Sequence, residues 1–523
     1  MRPHPPSLSY HAWLSKGVSA CITCLALLWS SASVAFGGFD APTCPPGAYD
    51  VYPSPSYRIS TNGQVVKPLR PYFFGFNFES VIVLRSLYDT KTKALYAQLI
   101  SYLSAFPGAA YRYPGGIVSN YFNFSKAGSP PYMSPDGKSI YQMFWFDFDD
   151  YMHFLTQVHG QAWLVANLYG NAPGSELPIE SQVTLAKKWT AKTLQDRQRG
   201  LPPVLRWELG NELDRGQVHW SDQIYASRAS AIAGAIRSVD PQAKIVAMLE
   251  DFPTQRWASA FDYNANTAQT LASYAPGYAQ HLYYDGIPGQ PVSERVNFLC
   301  KDIQTVANAS QPHAEFWITE MAVRPPVPWQ GIDWKKVEWQ TKDLSSTISE
   351  ADMRIALTQF PQVKGAFLHA IYATGPWATF YRDASGVLHP TLPYWGMRLL
   401  RQSMLDEVLM TYTQSRNSSG YAGGYDLRAS ILTNQAHTAY AIWMANRAAN
   451  AIPVELQIPS LAGQTFSATL TSLANANVHA TDSPRQDILR PVAHPETLHF
   501  DGAGNTSLSI PGNSVSALTF SKQ

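Results

Sequence analysis

The chain has 523 residues, of which 15% are charged, and its formal net charge is +1 at neutral pH. The charged fraction is well below the roughly 25% of average soluble proteins, and a hydrophobic fraction of 45% excludes an intrinsically disordered chain. Because no dense run of lysine or arginine occurs, the sequence shows no footprint for phosphate backbones, and we expect no nucleic-acid partner.

The first 35 residues predict a secretory signal peptide. Basic residues Arg2, His4 and Lys16 come before or at the start of the apolar stretch Gly17–Trp29, and Ser33-Val34-Ala35 is typical of a cleavage site. No later segment approaches the roughly 20 uninterrupted apolar residues of a membrane helix. We therefore expect a mature chain that is secreted or periplasmic and has no membrane span.

Two cysteines, Cys44 and Cys300, remain after the predicted signal is removed. They permit one disulfide in an oxidising compartment, but Cys300 also lies in the helical pattern Val296–Ala307, where it is equally well explained as a buried thiol. The cysteines and histidines show no metal-site spacing, so we expect neither a metal nor a cofactor.

Residues 36–70 form a proline-rich lead-in that contains one predicted strand. The strand covers Tyr57–Thr61 and is followed by an Asn62-Gly63 turn. Since it stands apart from the regular pattern that begins later, we expect it to pair with the C-terminal domain.

Residues 71–403 alternate between strand-like and helix-like patterns. The strand candidates are Tyr72–Phe78, Ala110–Tyr113, Ala162–Leu168, Val204–Glu212, Lys244–Leu249, Tyr278–Tyr284, Ala314–Glu320 and Lys364–Tyr372. The helix candidates are Ala94–Phe106, Phe146–Val158, Asp222–Val239, Ser293–Ala307 and Thr347–Phe360. Eight such units predict an α/β fold of the (β/α)₈ TIM-barrel type.

Residues 404–523 have a different pattern, in which short runs of alternating apolar and polar residues are separated by Gly, Asn, Ser and Pro. The strand candidates are Val408–Thr413, Tyr425–Leu432, Thr438–Met444, Pro453–Ile458, Phe466–Ser472 and Val515–Phe520. No useful amphipathic helix appears among them, so this part predicts a C-terminal antiparallel β-sandwich.

Two glutamates follow apolar runs at the predicted ends of separate strands. The fourth strand ends in Asn211-Glu212, and the seventh ends in Glu320. Barrel enzymes carry their chemistry at the C-terminal ends of the strands. Two carboxyl groups about 5–5.5 Å apart are what a retaining glycosidase needs, one as the acid and one as the nucleophile. A single glutamate at a strand end is usually a solvated acid, so the joint pattern carries the hypothesis.

These motifs resemble the retaining glycoside hydrolases of clan A, and several are similar to the family 51 α-L-arabinofuranosidases. The similar segments are Arg112-Tyr113-Pro114-Gly115-Gly116 with Val118-Ser119 and Tyr121, Gly210-Asn211-Glu212-Leu213-Asp214, and the run from Gly75 to Glu79. The resemblance implies a barrel followed by a sandwich, and a glycosidase activity.

Other segments look more like family 79, the heparanase and β-glucuronidase family. They are Trp317-Ile318-Thr319-Glu320 and the tail from His389-Pro390 to Pro393-Tyr394-Trp395. Members of that family bind a uronate partly through a glycine-rich stretch after the nucleophile, which here reads Met321–Pro326. Since prolines lack a backbone donor, Arg324 is the candidate for a charge-assisted contact instead.

The resemblance implies roles for the residues that match its motifs. Glu212 is expected to be the general acid/base, kept protonated by an apolar setting and by the negative charge of Glu320. Glu320 is expected to be the nucleophile, kept ionised by Arg112 and Tyr283. Asn211 is expected to bind the sugar 2-hydroxyl.

Further side chains near the strand ends have weaker signals. Glu79 and Trp377 are candidate substrate contacts, while Glu208 is expected to be a buried structural carboxylate paired with Arg206 or Arg112. His281 and His369 are more typical of satisfied barrel histidines than of catalysts. These two histidines are therefore not included in the predicted site.

The expected function is that of an exported retaining glycosidase acting on a poly- or oligosaccharide without a cofactor. A β-glucuronide or other uronic-acid-containing glycan and an α-L-arabinofuranoside are the competing substrates. A transglycosylase using the same site and a non-catalytic carbohydrate-binding protein are the alternatives.

Overall fold

The computed structural model describes residues 44–522, apart from 79–86, 90–91, 93, 126–131, 134–139, 142–145, 173, 217, 251–259, 276, 287–289, 311, 326–336, 374 and 483–488. The predicted signal peptide and Glu79 lie outside the described residues.

Eight parallel strands close into a barrel, which confirms the predicted fold class. Two strands precede it, β1 (Val51–Pro53) and β2 (Tyr57–Pro68). The barrel strands are β3 (Phe74–Asn77), β4 (Ala110–Tyr113), β5 (Gln161–Ala166), β6 (Val204–Leu209), β7 (Ile245–Met248), β8 (Gly277–Tyr284), β9 (Glu315–Val323) and β10 (Val363–Leu368). Each pairs with its sequence neighbours in the barrel, and β10 pairs with β3 to close it.

A helix follows every barrel strand. The helices are α1 (Ala97–Leu103), α2 (Phe148–Val158), α3 (Ile179–Gln198), α4 (Asp222–Val239), α5 (Ala260–Leu271), α6 (Val292–Ala309), α7 (Leu344–Thr358) and α8 (Leu392–Gln402). Side-chain caps begin three of them: Asp147 accepts a hydrogen bond from Asp150 N, Ser221 accepts one from Ile224 N, and Asp343 accepts one from Ser346 N. Helices α3, α5 and α8 are not among the helix candidates of the sequence. Helix α3 is rich in Lys, Gln and Thr, so its apolar stripe is thin.

Short elements occupy the connections. Two-stranded pairs join Tyr88–Asp89 with Ala94–Leu95, Tyr132–Met133 with Ile140–Tyr141, Gly170–Ala172 with Ser175–Glu176, and Phe380–Arg382 with Leu388–Pro390. Single 3₁₀ turns cover Pro71–Phe73, Ile117–Tyr121 and Pro459–Leu461.

Aromatic rings fill the barrel interior below the strand ends. Trp163 lies 4.8 Å from Trp317 and 5.0 Å from Phe367, measured between ring centroids. Gly75 makes room for this cluster, since a Cβ atom there would lie 1.9 Å from the Phe367 ring. Packed side chains therefore fill the barrel interior and close it below the C-terminal ends of its strands.

The C-terminal domain is a ten-stranded sheet that includes both lead-in strands. Its other strands are β11 (Glu407–Ser415), β12 (Leu427–Thr433), β13 (Ala439–Asn446), β14 (Ile452–Gln457), β15 (Thr465–Ala474), β16 (Val492–His499), β17 (Asn505–Ile510) and β18 (Ser514–Ser521). The order is β16-β15-β18-β13-β12-β11-β2-β14-β17, with β1 beside β11. Pairing is antiparallel except between β1 and β11 and between β2 and β14.

The predicted lead-in strand joins this domain as expected, since β2 pairs with β11. The predicted Asn62-Gly63 turn is wrong. Thr61 pairs with Thr411 and Val65 with Leu409, so the intervening residues form a bulge in one continuous strand.

Lys67 on β2 connects the lead-in to the barrel through hydrogen bonds. Its side chain is buried, and Nζ donates to the carbonyl oxygens of Leu357 (2.9 Å), Phe360 (2.9 Å) and Val363 (2.6 Å). These acceptors surround the C-terminal end of α7, where helix carbonyls lack intrahelical partners.

Substituting methionine for Lys67 should lower the free energy of unfolding by about 3 kcal/mol, because several buried carbonyls lose their donor together. The urea midpoint checks this, with Lys364→Met as the matched control, since the Lys364 ammonium makes one exposed bond to a backbone carbonyl. Equal midpoints for the two variants would contradict the role assigned to Lys67.

Cys44 and Cys300 are joined by a disulfide. This bond decides between the two alternatives that the sequence left open, because it links the lead-in to helix α6. Within the part of the chain that the structure describes, no helix combines the length and apolar character that a membrane crossing requires.

Candidate active site

Glu320 lies near the C-terminal end of β9, where the strand contains a bulge. Ile318 pairs with Gln280 and Glu320 pairs with His281, so Thr319 has no partner residue on β8. A bulge re-aims the side chains beside it. Here both Thr319 and Glu320 are buried inside the barrel, and Asn77 Nδ2 donates to the Thr319 carbonyl at 2.5 Å.

Glu212 is held by a sharp turn just after β6. Gly210 has φ +80° and Glu212 itself has φ +47°, both in the left-handed region. Asn120 fixes this turn, because its Nδ2 donates to the Asn211 carbonyl (2.7 Å) and its Oδ1 accepts from Asn211 N (3.1 Å). The glutamate side chain is 23% exposed, so it faces the solvent-accessible end of the barrel.

The fully buried guanidinium of Arg112 is the centre of the site. Nη1 donates to Glu320 Oε1 (2.7 Å) and to Asn77 Oδ1 (2.9 Å), and Nη2 donates to Asn211 Oδ1 (2.7 Å). Nε and Nη2 also donate to the two carboxylate oxygens of Glu208, each at 2.8 Å. The planar guanidinium of Arg112 therefore orients side chains at the ends of three other strands, β3, β6 and β9.

Glu208 is a buried structural carboxylate, as the sequence predicted, and its partner is Arg112. Trp163 Nε1 (2.6 Å) and the Thr319 hydroxyl (3.2 Å) also donate to it. Arg206, the alternative partner, instead binds Glu315 at 2.6 Å.

His281 on β8 lies between the two glutamates. Its Nδ1 is 2.9 Å from Glu212 Oε1 and 3.5 Å from Glu320 Oε2. One carboxylate oxygen of Glu212, one of Glu320 and one ring nitrogen of His281 all lie within 4.8 Å of one another. The Tyr283 hydroxyl donates to Glu320 Oε2 at 2.7 Å.

The ionisation of Glu212 differs from the expectation. Burial raises the pKa of Glu212, but the charge of Arg215 (Nη1 3.8 Å away) and the hydrogen bond with His281 outweigh it, so the pKa lies below its ordinary range. The predicted protonated Glu212 is therefore wrong for this resting arrangement. Opposite charges beside the carboxylate, which the sequence did not place there, are the reason.

The pKa of His281 shifts in the opposite direction. Burial lowers the pKa of His281, but the charges of Glu320 and Glu212 outweigh it and raise the pKa above its ordinary value. For His369, whose Nδ1 is 3.7 Å from Glu320, burial prevails and the pKa is lowered. Burial also raises the pKa of Glu320, but His281, His369 and Arg112 outweigh it, so the pKa is lowered. This direction agrees with the ionised Glu320 that the sequence predicts.

Trp377 forms one wall of this centre. Its indole Nε1 donates to the Val323 carbonyl at 2.6 Å, and its ring lies 5.7 Å from Tyr283 and 5.4 Å from His369. The Arg324 guanidinium lies 5.8 Å from the Tyr283 ring centroid. The structure thus brings together Asn211, Arg112, Tyr283, Trp377, Glu212 and Glu320, while Glu79 falls outside the described residues.

Asn211 presents a buried donor at this centre. Its Oδ1 accepts from Arg112, and its Nδ2 has no hydrogen-bond partner among the residues that the structure describes. A buried amide without an acceptor is costly, so a ligand hydroxyl is a natural partner for it.

The carboxylates of Glu212 and Glu320 and the imidazole of His281 also offer the kinds of ligand that a zinc ion accepts. The surrounding groups fit such an ion poorly. Glu320 already accepts from Arg112 and Tyr283, and the fixed charge of Arg112 lies 2.7 Å from its Oε1. A dication there would have to compete with a permanently charged group.

Sequence reasoning missed His281, Asn77, Asn120 and Arg215. His281 had a usable signal, because it lies two positions before Tyr283 and so faces the same side of β8. The other three depend on contacts between separate strand ends, for which the sequence contains no local pattern.

Comparisons with solved structures identify the same architecture elsewhere. The chain matches an α-L-arabinofuranosidase from Thermotoga maritima in complex with arabinose at a TM-score of 0.68 and 16% identity, covering 89% of this chain and 99% of that one. It matches the family 51 arabinofuranosidase from Xanthomonas axonopodis pv. citri at 0.71 and 14%, covering 89% and 100%.

A more distant match is CelM2, a bifunctional glucanase-xylanase from a metagenome library, at a TM-score of 0.58 and 14% identity, covering 90% and 100%. No family model and no curated protein matches the sequence. The similarity to the solved structures confirms the predicted fold, a barrel followed by a β-sandwich.

Proposed function

We propose that this chain is an exported retaining glycoside hydrolase that cleaves an O-glycosidic bond in a poly- or oligosaccharide. The observation that carries the proposal is the pair of carboxylates, Glu212 and Glu320, which approach within 4.8 Å at the C-terminal face of the barrel. Retaining enzymes place these groups about 5–5.5 Å apart, whereas inverting enzymes need about 6.5–9.5 Å. The Cys44–Cys300 disulfide supports an oxidising, extracytoplasmic location.

In the first step, Glu320 attacks the anomeric carbon and forms a glycosyl ester while the bond to the leaving oxygen breaks. Glu212 delivers a proton to that oxygen. His281 Nδ1 lies 2.9 Å from Glu212 Oε1, so transfer across this hydrogen bond supplies the proton. The Asn211 amide donates to the sugar 2-hydroxyl, a contact that strengthens in the transition state.

In the second step, Glu212 removes a proton from water, and the resulting hydroxide equivalent attacks the anomeric carbon. Glu320 leaves as a carboxylate, which Arg112 and Tyr283 stabilise through bonds of 2.7 Å each. The two displacements together retain the anomeric configuration.

The substrate sugar is proposed to be an α-L-arabinofuranoside or a β-glucuronide. The solved structures with this fold whose names include arabinofuranosidase favour the first. Arg324, the cation beside Tyr283, favours a carboxylate-bearing sugar.

A screen of the purified chain against aryl glycosides tests the proposal. The panel contains the α-L-arabinofuranoside, β-glucuronide, β-xyloside, β-glucoside and β-galactoside. We expect cleavage of one member, which names the terminal sugar. If no member of the panel is cleaved, the chain is incubated with polysaccharides and new reducing ends are measured. No cleavage in either assay would contradict hydrolysis and favour a binding protein.

Substituting glutamine for Glu212 should slow glycosides with poor leaving groups by about 10²- to 10⁴-fold, because the proton donor is lost. Activated aryl glycosides, which need little acid assistance, should form the glycosyl-enzyme at a nearly unchanged rate. A series of aryl leaving groups, with Glu455→Gln in the sheet domain as control, measures the slope. Equal slowing across the series would contradict the assignment of Glu212 as the acid.

A further inference from the structure

A cavity of about 780 Å³ lies where the barrel meets the sheet domain. Its barrel wall comes from Asp285 after β8 and from Val323 and Arg324 at the end of β9, and its base is the first turn of α7. The opposite wall comes from Tyr421 and Arg447 of the sheet domain. Ligand pockets of 300–1,000 Å³ occur preferentially at such domain boundaries.

The walls of this cavity are held in place by compensated charges. Arg447 lies 3.8 Å from the Tyr421 ring centroid and binds Asp285 (3.3 Å) and Asp352 (2.9 Å). The Tyr421 hydroxyl donates to Asp285 Oδ1 at 2.7 Å. Asp285, Arg447 and Tyr421 thus connect the two domains and pre-form the cavity before any ligand arrives.

The lining combines aromatic surface with groups that bond hydroxyls. Trp339 and Tyr421 contribute rings, while Gln340, Ser345 and His479 contribute polar side chains. His479 Nδ1 lies 2.9 Å from Asp343 Oδ2, and this contact holds the imidazole at the edge of the cavity. Apolar faces interspersed with hydroxyl-bonding groups match the surface of a sugar ring, which has both characters.

The cavity lies within reach of a chain bound at the nucleophile. Val323 is three residues after Glu320 on β9. Because a strand rises about 3.3 Å per residue, the Cα atoms of these two residues are about 10 Å apart along the strand. Val323 also accepts the Trp377 indole donor, and Arg324 lies over Tyr283. A short oligosaccharide spans this distance.

We infer that this cavity is a distal subsite for carbohydrate, which holds sugar units of the same chain whose bond is cleaved between Glu212 and Glu320. The inference rests on the proposed function and extends it: the natural substrate is an oligosaccharide or polymer rather than a short glycoside.

Titration calorimetry of the Glu320→Gln protein tests the subsite without requiring turnover. The probes are arabinoxylan-derived and glucuronoxylan-derived oligosaccharides of increasing length, with the methyl glycosides as the shortest members. Affinity should rise about tenfold or more with length in one series, since a well-packed aromatic contact contributes over 1 kcal/mol. Adding Trp339→Ala, or Ser345→Trp to fill the cavity, should abolish that gain.

Trp395→Ala is the matched control, because Trp395 is also a half-buried tryptophan but does not line the cavity. In this variant the gain with length should persist. Affinity that is independent of length, a gain that survives both cavity variants, or no binding of any oligosaccharide would overturn the subsite. Cleavage of aryl glycosides by the unsubstituted chain, measured separately, shows whether the catalytic proposal still stands.

Discussion

Glu320→Gln should abolish turnover, with a loss of about 10⁴-fold or more, while the fold remains intact. The neutral amide is a poor nucleophile and cannot form the glycosyl ester. The amide oxygen keeps the acceptor for Arg112, and the amide NH2 group takes the place of Oε2 and donates to the Tyr283 hydroxyl, so the substitution removes charge without leaving a cavity. Initial rates on the cleaved aryl glycoside measure the loss.

Glu315→Gln is the matched control, because Glu315 lies on the same strand at its opposite end and binds Arg206. Its rate should stay within about twofold of the unsubstituted protein, as expected for a substitution that leaves the chemistry untouched. Normal cleavage by the Glu320→Gln protein would show that the nucleophile lies elsewhere.

Replacing Arg112 with methionine should both abolish activity and destabilise the protein by about 3–5 kcal/mol. The change leaves Glu208 fully buried without its countercharge and releases Glu320 and Asn211 from their orientation. Arg112→Lys should restore little of the activity or the stability, because a single ammonium group cannot donate to four side chains at once as the guanidinium does. Urea midpoints and turnover are the two measurements.

Two further variants separate the structural and catalytic contributions of Arg112. Adding Glu208→Gln to Arg112→Met removes the stranded charge, so stability should recover while activity does not. Arg206→Met, which breaks the ion pair with the partly exposed Glu315, should cost less stability and leave turnover near normal. An Arg112→Met protein as stable as Arg206→Met would contradict the central place of this guanidinium.

The barrel was predictable because each strand is a nearly continuous apolar run between helical stretches. Asp222–Val239 was predicted to the residue, since Ser221 caps a strongly periodic segment. Strand β16 was missed because seven of its eight residues are exposed at the edge of the sheet, so it lacks the alternation that indicates a half-buried strand.

The site was predictable where its residues end strands, and unpredictable where separate strands meet. Asn211, Glu212 and Glu320 follow apolar runs, and this position alone marks them. The protonation of Glu212 depends on Arg215 and His281, and the position of His281 between two carboxylates follows from the bulge at Thr319. The first has no local pattern in the sequence, and the second has only the signal that His281 faces the same side of β8 as Tyr283.

The most direct test of the account is to trap the covalent intermediate. The protein is incubated with the activated 2-deoxy-2-fluoro derivative of the aryl glycoside that it cleaves, digested, and mapped by mass spectrometry. We predict one added glycosyl group, attached to Glu320 and absent from the Glu320→Gln protein. A label on another residue, or no label together with an inverted product, would contradict a double displacement through Glu320.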